Sequence, residues 1–259
     1  LGGLRESFDM PRSSDNEIVV YWSPWWNLNA KKSQDIFYDT PNNVYSHLSN
    51  NFHPPTETKN YMQCPAVMDK LKKNYVIFCR ADVDLSIQLD ENKKVTGFGF
   101  SDHEKMAIGG TLSHAPTLDN QFLLELDMSF AFFSEESLVV SINSPYFHQA
   151  PYLNYGAIVP GEFDIGKWFR PINLEFNLWP GVTRLKIDSG EPLAYFSFET
   201  DKKIIFKRYT FNERLFHIAS QSARYKDKPR WRPMSYRYER FKEASMKELV
   251  MKEIKENLV

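Results

Sequence analysis

The stretch Gly161-Glu162-Phe163-Asp164-Ile165-Gly166-Lys167 has the spacing of a phosphate-binding loop, in which backbone N–H groups wrap a phosphate and a following hydroxyl holds magnesium. Its neighbours oppose that chemistry. Trp168 stands where the hydroxyl belongs, Glu162 and Asp164 would repel phosphate, and Pro171 ends the helix that should follow. The segment therefore reads as a turn presenting Trp168, Phe169 and Arg170, whose guanidinium can stack on a ring. Asp82 and Asp84 form an Asp-x-Asp pair able to hold a divalent ion, since alternate strand residues point to one face. Beside Arg80, the simpler reading is an exposed charged face. None of the 6 histidines stands in a His-x-Asp, His-x-His or His-Glu-x-x-His arrangement, which counts against iron oxygenases, cupins and zincins. His47 and His53 share one loop and could bind a metal with a distant carboxylate, so the metal candidates are His47, His53, Asp82 and Asp84. There is no Gly-x-Ser-x-Gly elbow and no defensible nucleophile spacing, so no catalytic residue is assigned and no cofactor is expected.

A different chemistry lies near the C-terminus. Between Arg224 and Lys242, the cations Arg224, Lys226, Lys228, Arg230, Arg232, Arg237, Arg240 and Lys242 alternate with Tyr225, Trp231, Tyr236, Tyr238 and Phe241. Cations neutralise phosphates and rings stack on unpaired bases, so the stretch suits single-stranded nucleic acid. It suits an acidic protein neighbour equally well. Residues 202–259 hold 16 Lys and Arg against 7 Asp and Glu, a net of +9, which leaves −10 for residues 1–201. That asymmetry favours a protein contact, including the tail of one copy on the body of another. The residues expected to bind a partner are Trp25, Trp26, Trp168, Arg170, Arg230, Trp231 and Arg232.

The elements that must position these groups are mostly strands. Residues 1–16 read as a flexible lead-in, 17–210 as a β-rich domain and 211–259 as a basic helical tail. Strand candidates are 17–22, 75–80, 83–89, 95–100, 122–128, 138–142, 172–178, 183–187, 193–198 and 203–209, with Gly and Pro between many of them. The pair around the polar turn 90–94 reads as a hairpin. Residues 27–65 read as a long loop, with a short strand conceivable at 35–38. Pro65 suits the first position of a helix over 66–73 that ends at Asn74. A helix is expected over 213–224 and a last one over 235–258, with Phe241, Ser245 or Met246, Leu249, Ile254 and Leu258 on its apolar face. The fold expected is mainly β: a sandwich, jelly roll or distorted barrel of antiparallel strands with a helix near 66–73 and a helical tail.

Apolar runs are all shorter than the eighteen or so residues of a membrane span; even 122–133 is broken by Glu125 and Asp127. Two cysteines, Cys64 and Cys79, make neither a disulfide framework nor a metal set, which points to a soluble protein of a reducing compartment.

Four segments carry a resemblance: Tyr21-Trp22-Ser23-Pro24-Trp25, Cys64-Pro65-Ala66 leading to Lys73-Asn74-Tyr75-Val76-Ile77, Val159 to Pro171, and Gly190-Glu191-Pro192-Leu193-Ala194-Tyr195. Over roughly residues 18–210 the chain resembles an uncharacterised protein family encoded by tailed bacteriophages. The resemblance implies a phage origin, and with it the infected host cytoplasm or the virion, and assigns no site residue. The late strands also faintly resemble dUTPase-like β folds, but the serine-containing phosphate loop and the deoxyribose-packing Asp and Tyr of those enzymes have no counterpart. The expected function is non-catalytic: binding, virion or assembly. The alternatives are an enzyme with a dispersed metal or nucleotide site, and single-stranded nucleic-acid binding through the tail.

Overall fold

The computed structural model describes residues 16–25, 39–51, 61–79, 82–91, 95–99, 114–116, 122–223 and 233–259. Its first strand, β1 (Glu17–Pro24), is a nearly unbroken apolar run, as expected of a strand covered on both faces. Ile18, Val20 and Trp22 enter one core while Tyr21 enters another. After β1 come β2 (Asn42–Asn43), α1 (Val44–Asn51), α2 (Pro65–Lys73), β3 (Asn74–Phe78), β4 (Val83–Leu89), β5 (Val95–Gly99), β6 (His114–Pro116), β7 (Phe122–Phe133) and β8 (Val139–Asn143). Then follow β9 (Gly156–Ile158), β10 (Gly161–Asp164), β11 (Pro171–Leu178), β12 (Arg184–Ile187), β13 (Pro192–Phe198) and β14 (Lys203–Arg208). The chain closes with α3 (Glu213–Ala223), α4 (Met234–Glu243) and α5 (Met246–Glu256).

A first sheet has the order β14-β1-β7-β11-β9, with β6 also paired to β7. A second runs β10-β8-β13-β3-β2, and a small third, β12-β4-β5, contains the expected hairpin. The fold is thus mainly β and built of several antiparallel sheets, which among the described residues form no closed barrel. One pair, β1 with β14, is parallel, registering Glu17 with Lys203.

Period-two patterning makes the central core. In β11, Ile172, Leu174, Phe176 and Leu178 are buried while Pro171, Asn173, Glu175 and Asn177 are only half-buried. Phe130 and Phe132 of β7 meet Phe196 of β13 edge to face, joining the first two sheets. Val83, Leu85, Ile87, Leu185 and Ile187 bring the third sheet into the same cluster.

Both outer faces are covered by helices, giving four layers. On the first sheet, Tyr21, Ala131, Phe133 and Tyr209 pack with Leu215 and Ile218 of α3, Phe241 of α4, and Val250, Met251 and Ile254 of α5. The chain end is fastened as well: Thr210 N donates to Asn257 O at 2.8 Å, and Val259 N to Arg208 O at 3.1 Å. On the second sheet, Val76 and Tyr195 pack under Val44 and Leu71 of α1 and α2.

Several expectations change in detail. The sequence suggests one helix over 235–258, yet it breaks between α4 and α5, where Ser245 adopts a left-handed φ of 49°. In a continuous helix Phe241 and Val250 would lie roughly 180° apart, whereas the break turns both toward the sheet. Leu249 and Leu258, read as apolar-face residues, are exposed. Residues 27–65 read as loop because of their Asn and Ser content, but 44–51 is helical. Asn43 caps it, accepting from Ser46 N at 3.1 Å, and donates to Lys72 O at 2.7 Å, tying α1 to the end of α2. The conceivable strand at 35–38 lies outside the described residues, as does most of 224–233.

Candidate functional sites: an edge cleft and a histidine relay

The spacing that resembles a phosphate loop has a structural cause. Residues 161–164 form edge strand β10, paired to β8, and the turn after it is built around the buried carboxylate of Asp164. That carboxylate accepts from Ser137 Oγ, from Leu138 N at 3.0 Å and from Gly166 N at 2.9 Å, and pairs with Lys167 Nζ at 2.9 Å. Burial pushes the carboxyl up, but the bonds from Ser137, Lys167 and the two amides outweigh it and hold it below the usual range. Gly166 is required because a Cβ there would stand 1.9 Å from Glu136 O. The lysine of the apparent motif is thus bound to Asp164.

The turn leads into a cleft at the open edge of the sandwich. Its volume is about 190 Å³, and it lies between β8 and β10 of the second sheet and β11 of the first. Trp168, buried, donates from Nε1 to Ser222 O at 3.3 Å and meets Phe163 edge to face at 5.9 Å. Arg170 extends across them, its guanidinium 5.1 Å from the Trp168 ring and 5.9 Å from that of Phe163, while its Nε donates to Pro171 O at 2.9 Å. Glu162, Glu175 and Met234 also line the cleft. Two of the expected partner-binding residues, Trp168 and Arg170, therefore share one concave surface.

Trp25 faces elsewhere, with its ring 4.8 Å from Phe211 and 5.5 Å from Phe216, against the C-terminal layer. Trp26, Arg230, Trp231 and Arg232 lie outside the described residues. In the described part of the basic stretch, Phe241 is buried and the Tyr238 hydroxyl accepts from Asp164 N at 2.8 Å. The Phe241 ring is committed to the core, and the Tyr238 hydroxyl is committed to the anchor at Asp164.

The metal candidates do not converge as a set. Asp84 binds Arg184 bidentately across β4 and β12, which lowers its pKa through that bond. Asp82, just before β4, accepts from Ser189 N at 2.8 Å. His53 lies outside the described residues. His47, on α1, meets a residue that sequence spacing does not mark: its Nδ1 is 3.1 Å from Nε2 of His148. His148 Nδ1 in turn lies against the Tyr195 hydroxyl on the outer face of β13.

Local structure explains the meeting. His148 sits in the turn 146–149, where its amide donates to Pro145 O at 3.0 Å, and Gln149 takes a φ of 51° before the 3-10 turn that begins at Pro151. Phe78 packs 4.9 Å from the His47 ring, and Tyr61 stacks on Phe147 beside the relay. Burial and the neighbouring His47 hold His148 down at about 4, and burial also lowers His47. Burial raises the Tyr195 hydroxyl, against backbone hydrogen bonds from Phe147 and His148. Near neutral pH the relay is therefore a pair of neutral imidazoles backed by a protonated tyrosine. The only sequence signal for His148 is its place between Pro145 and Pro151, which marks a turn but not a partner 101 residues away.

Among the described residues no helix is long and apolar enough to cross a membrane. No protein-family model, curated protein or solved structure significantly matches this chain.

Proposed function

We propose that the chain is a phage-encoded, non-catalytic assembly protein that associates with further copies of itself, the edge cleft receiving a basic and aromatic segment of its neighbour. The observation that carries this reading is the cleft itself: ring walls at Phe163 and Trp168, the stacked Arg170, and carboxylates at Glu162 and Glu175. Such a surface suits an aromatic side chain flanked by cations. Arg230-Trp231-Arg232 has that composition, and its two cations complement the carboxylates of Glu162 and Glu175 in the cleft. The phage origin rests on the sequence resemblance alone. Tyr238 and Phe241, turned toward the body, favour this reading over nucleic-acid binding through the tail.

Light scattering across a concentration series at low and high salt tests it. Mass should rise with concentration at low salt and fall toward the monomer at about 1 M salt, where screening reaches within roughly 3 Å. Trp168→Ala, or joint replacement of Arg230, Trp231 and Arg232 by Ser, should abolish the rise. A monomer at every concentration and salt sinks the reading.

A further inference from the structure

Two imidazoles carried by separate elements aim ring nitrogens at each other at 3.1 Å on the outer face of the second sheet. We propose that His47 and His148 form a binding site for a divalent transition-metal ion of the zinc class, open to water or to a partner's ligand at its remaining positions. Zinc lies about 2.0–2.1 Å from an imidazole nitrogen, so two such nitrogens across a tetrahedral angle are roughly 3.3 Å apart. The observed separation differs from that by a few tenths of an ångström, which a small rotation of either ring supplies.

The surroundings match what a ligating histidine requires. A metal-bound imidazole is oriented by a hydrogen bond at its other nitrogen, and the Tyr195 hydroxyl occupies that position on His148. His47 is backed by the Phe78 ring at 4.9 Å. The turn that carries His148 is set by the bond to Pro145 O and by the positive φ of Gln149, a conformation costly for a non-glycine residue and found where a turn aims a side chain. Both histidines are only partly buried, so an ion can enter and keep water. Among the described residues no third His, Cys, Asp or Glu joins them, so the described residues supply two ligands. Imidazole donors select zinc, nickel or copper, whereas magnesium and calcium demand oxygen. The site is independent of the edge cleft and of self-association.

The test is titration of Zn²⁺ into the full chain at about pH 7, where free imidazole is mostly neutral, followed by binding heat and by long-range ¹H–¹⁵N spectra of the histidine rings. One equivalent should bind, moving Nδ1 of His47 and Nε2 of His148, while Mg²⁺ moves neither. His47→Gln and His148→Gln should each weaken binding by at least about tenfold, and Tyr195→Phe by about tenfold with the stoichiometry kept. His217→Gln, on the exposed side of α3, should change nothing. Absence of saturable binding up to about 1 mM Zn²⁺, or binding that leaves both ring signals in place and instead follows the exposed thiol of Cys64, overturns the proposal. The ring spectra of the unmodified chain decide the matter even where a variant fails to fold.

Discussion

The face of the first sheet under α3, α4 and α5 is filled by Phe133, Phe169, Leu215, Val250 and Ile254, and its buried polar side chains, Ser222 and Glu253, are bonded within the layer to Ile218 O and to Asn212 and Arg214. The face of the second sheet under α1 and α2 is smaller and contains Val44, Leu71, Val76 and Tyr195, with His47, His148 and the exposed rings of Tyr61 and Tyr146 at its margin. Both layers cover a β-sheet, but the buried polar side chains of the first are bonded to its own helices, whereas the second sets two imidazoles against each other at a half-buried margin. Polar groups in a half-buried place cost stability unless paired, and here they are paired with one another in a chain that ends near solvent. The first layer is closed on itself, while the second ends in imidazole nitrogens that no described helix or strand covers completely.

The largest effect is expected at Asp164. Asp164 joins β10, the turn at Ser137 and Leu138 and, through its amide, Tyr238 of α4. Asp164→Ala strips the buried Leu138 and Gly166 amides of their acceptor and should cost about 4 kcal/mol in urea unfolding. A loss below about 1 kcal/mol would mean that the C-terminal layer does not depend on this anchor.

A paired measurement sharpens the contrast. Ile254→Ala in the C-terminal layer should cost about 3 kcal/mol, whereas Val67→Ala in the half-buried layer should cost about 1 kcal/mol, because a partly solvated site loses less transfer energy and leaves less cavity. Equal losses would remove the distinction between the layers.

The smallest effect is in pH. His148 has an ordinary value of 6.5 and is held at about 4 in the folded chain, so between those values the unfolded chain binds more protons. Stability should therefore be full above about pH 6.5, fall as pH drops through this window, and lose this contribution below about 4. With metal removed by chelator, His148→Gln should flatten the slope in that window. An unchanged slope would show that the relay does not couple to folding.

Much of the fold was legible. Alternation in β4, β11 and β12 exposed the strands, because a two-residue period and a buried face leave their mark in residue order. Pro65 and Asn74 bounded α2 by local chemistry, with Asn74 Nδ2 donating to Lys70 O. Short edge strands such as β9 and β10 were not legible, since three or four residues between prolines hold too little pattern. Nor was α1, whose Asn43 cap looks like any loop asparagine until Lys72 O is beside it.

The two candidate sites divide in the same way. Trp168 and Arg170 stand two residues apart, so their shared presentation could be read from order, whereas the cleft depends on β8, β10 and β11 meeting at the sandwich edge. His47 was visible as a candidate but its partner was not, because the contact spans 101 residues and joins a helix to a separately built turn. By itself, the sequence determined a mainly β body, the position of α2, the helical C-terminus and the opposed charges of body and tail, since periodicity, capping and charge are local properties of order. Only the tertiary structure decided that the tail closes over the first sheet, that Asp164 turns an apparent phosphate loop into an anchor, and that His148 meets His47. Those contacts arise when distant elements stack to bury apolar faces, and nothing in the spacing of the residues along the chain encodes which polar groups that stacking brings together.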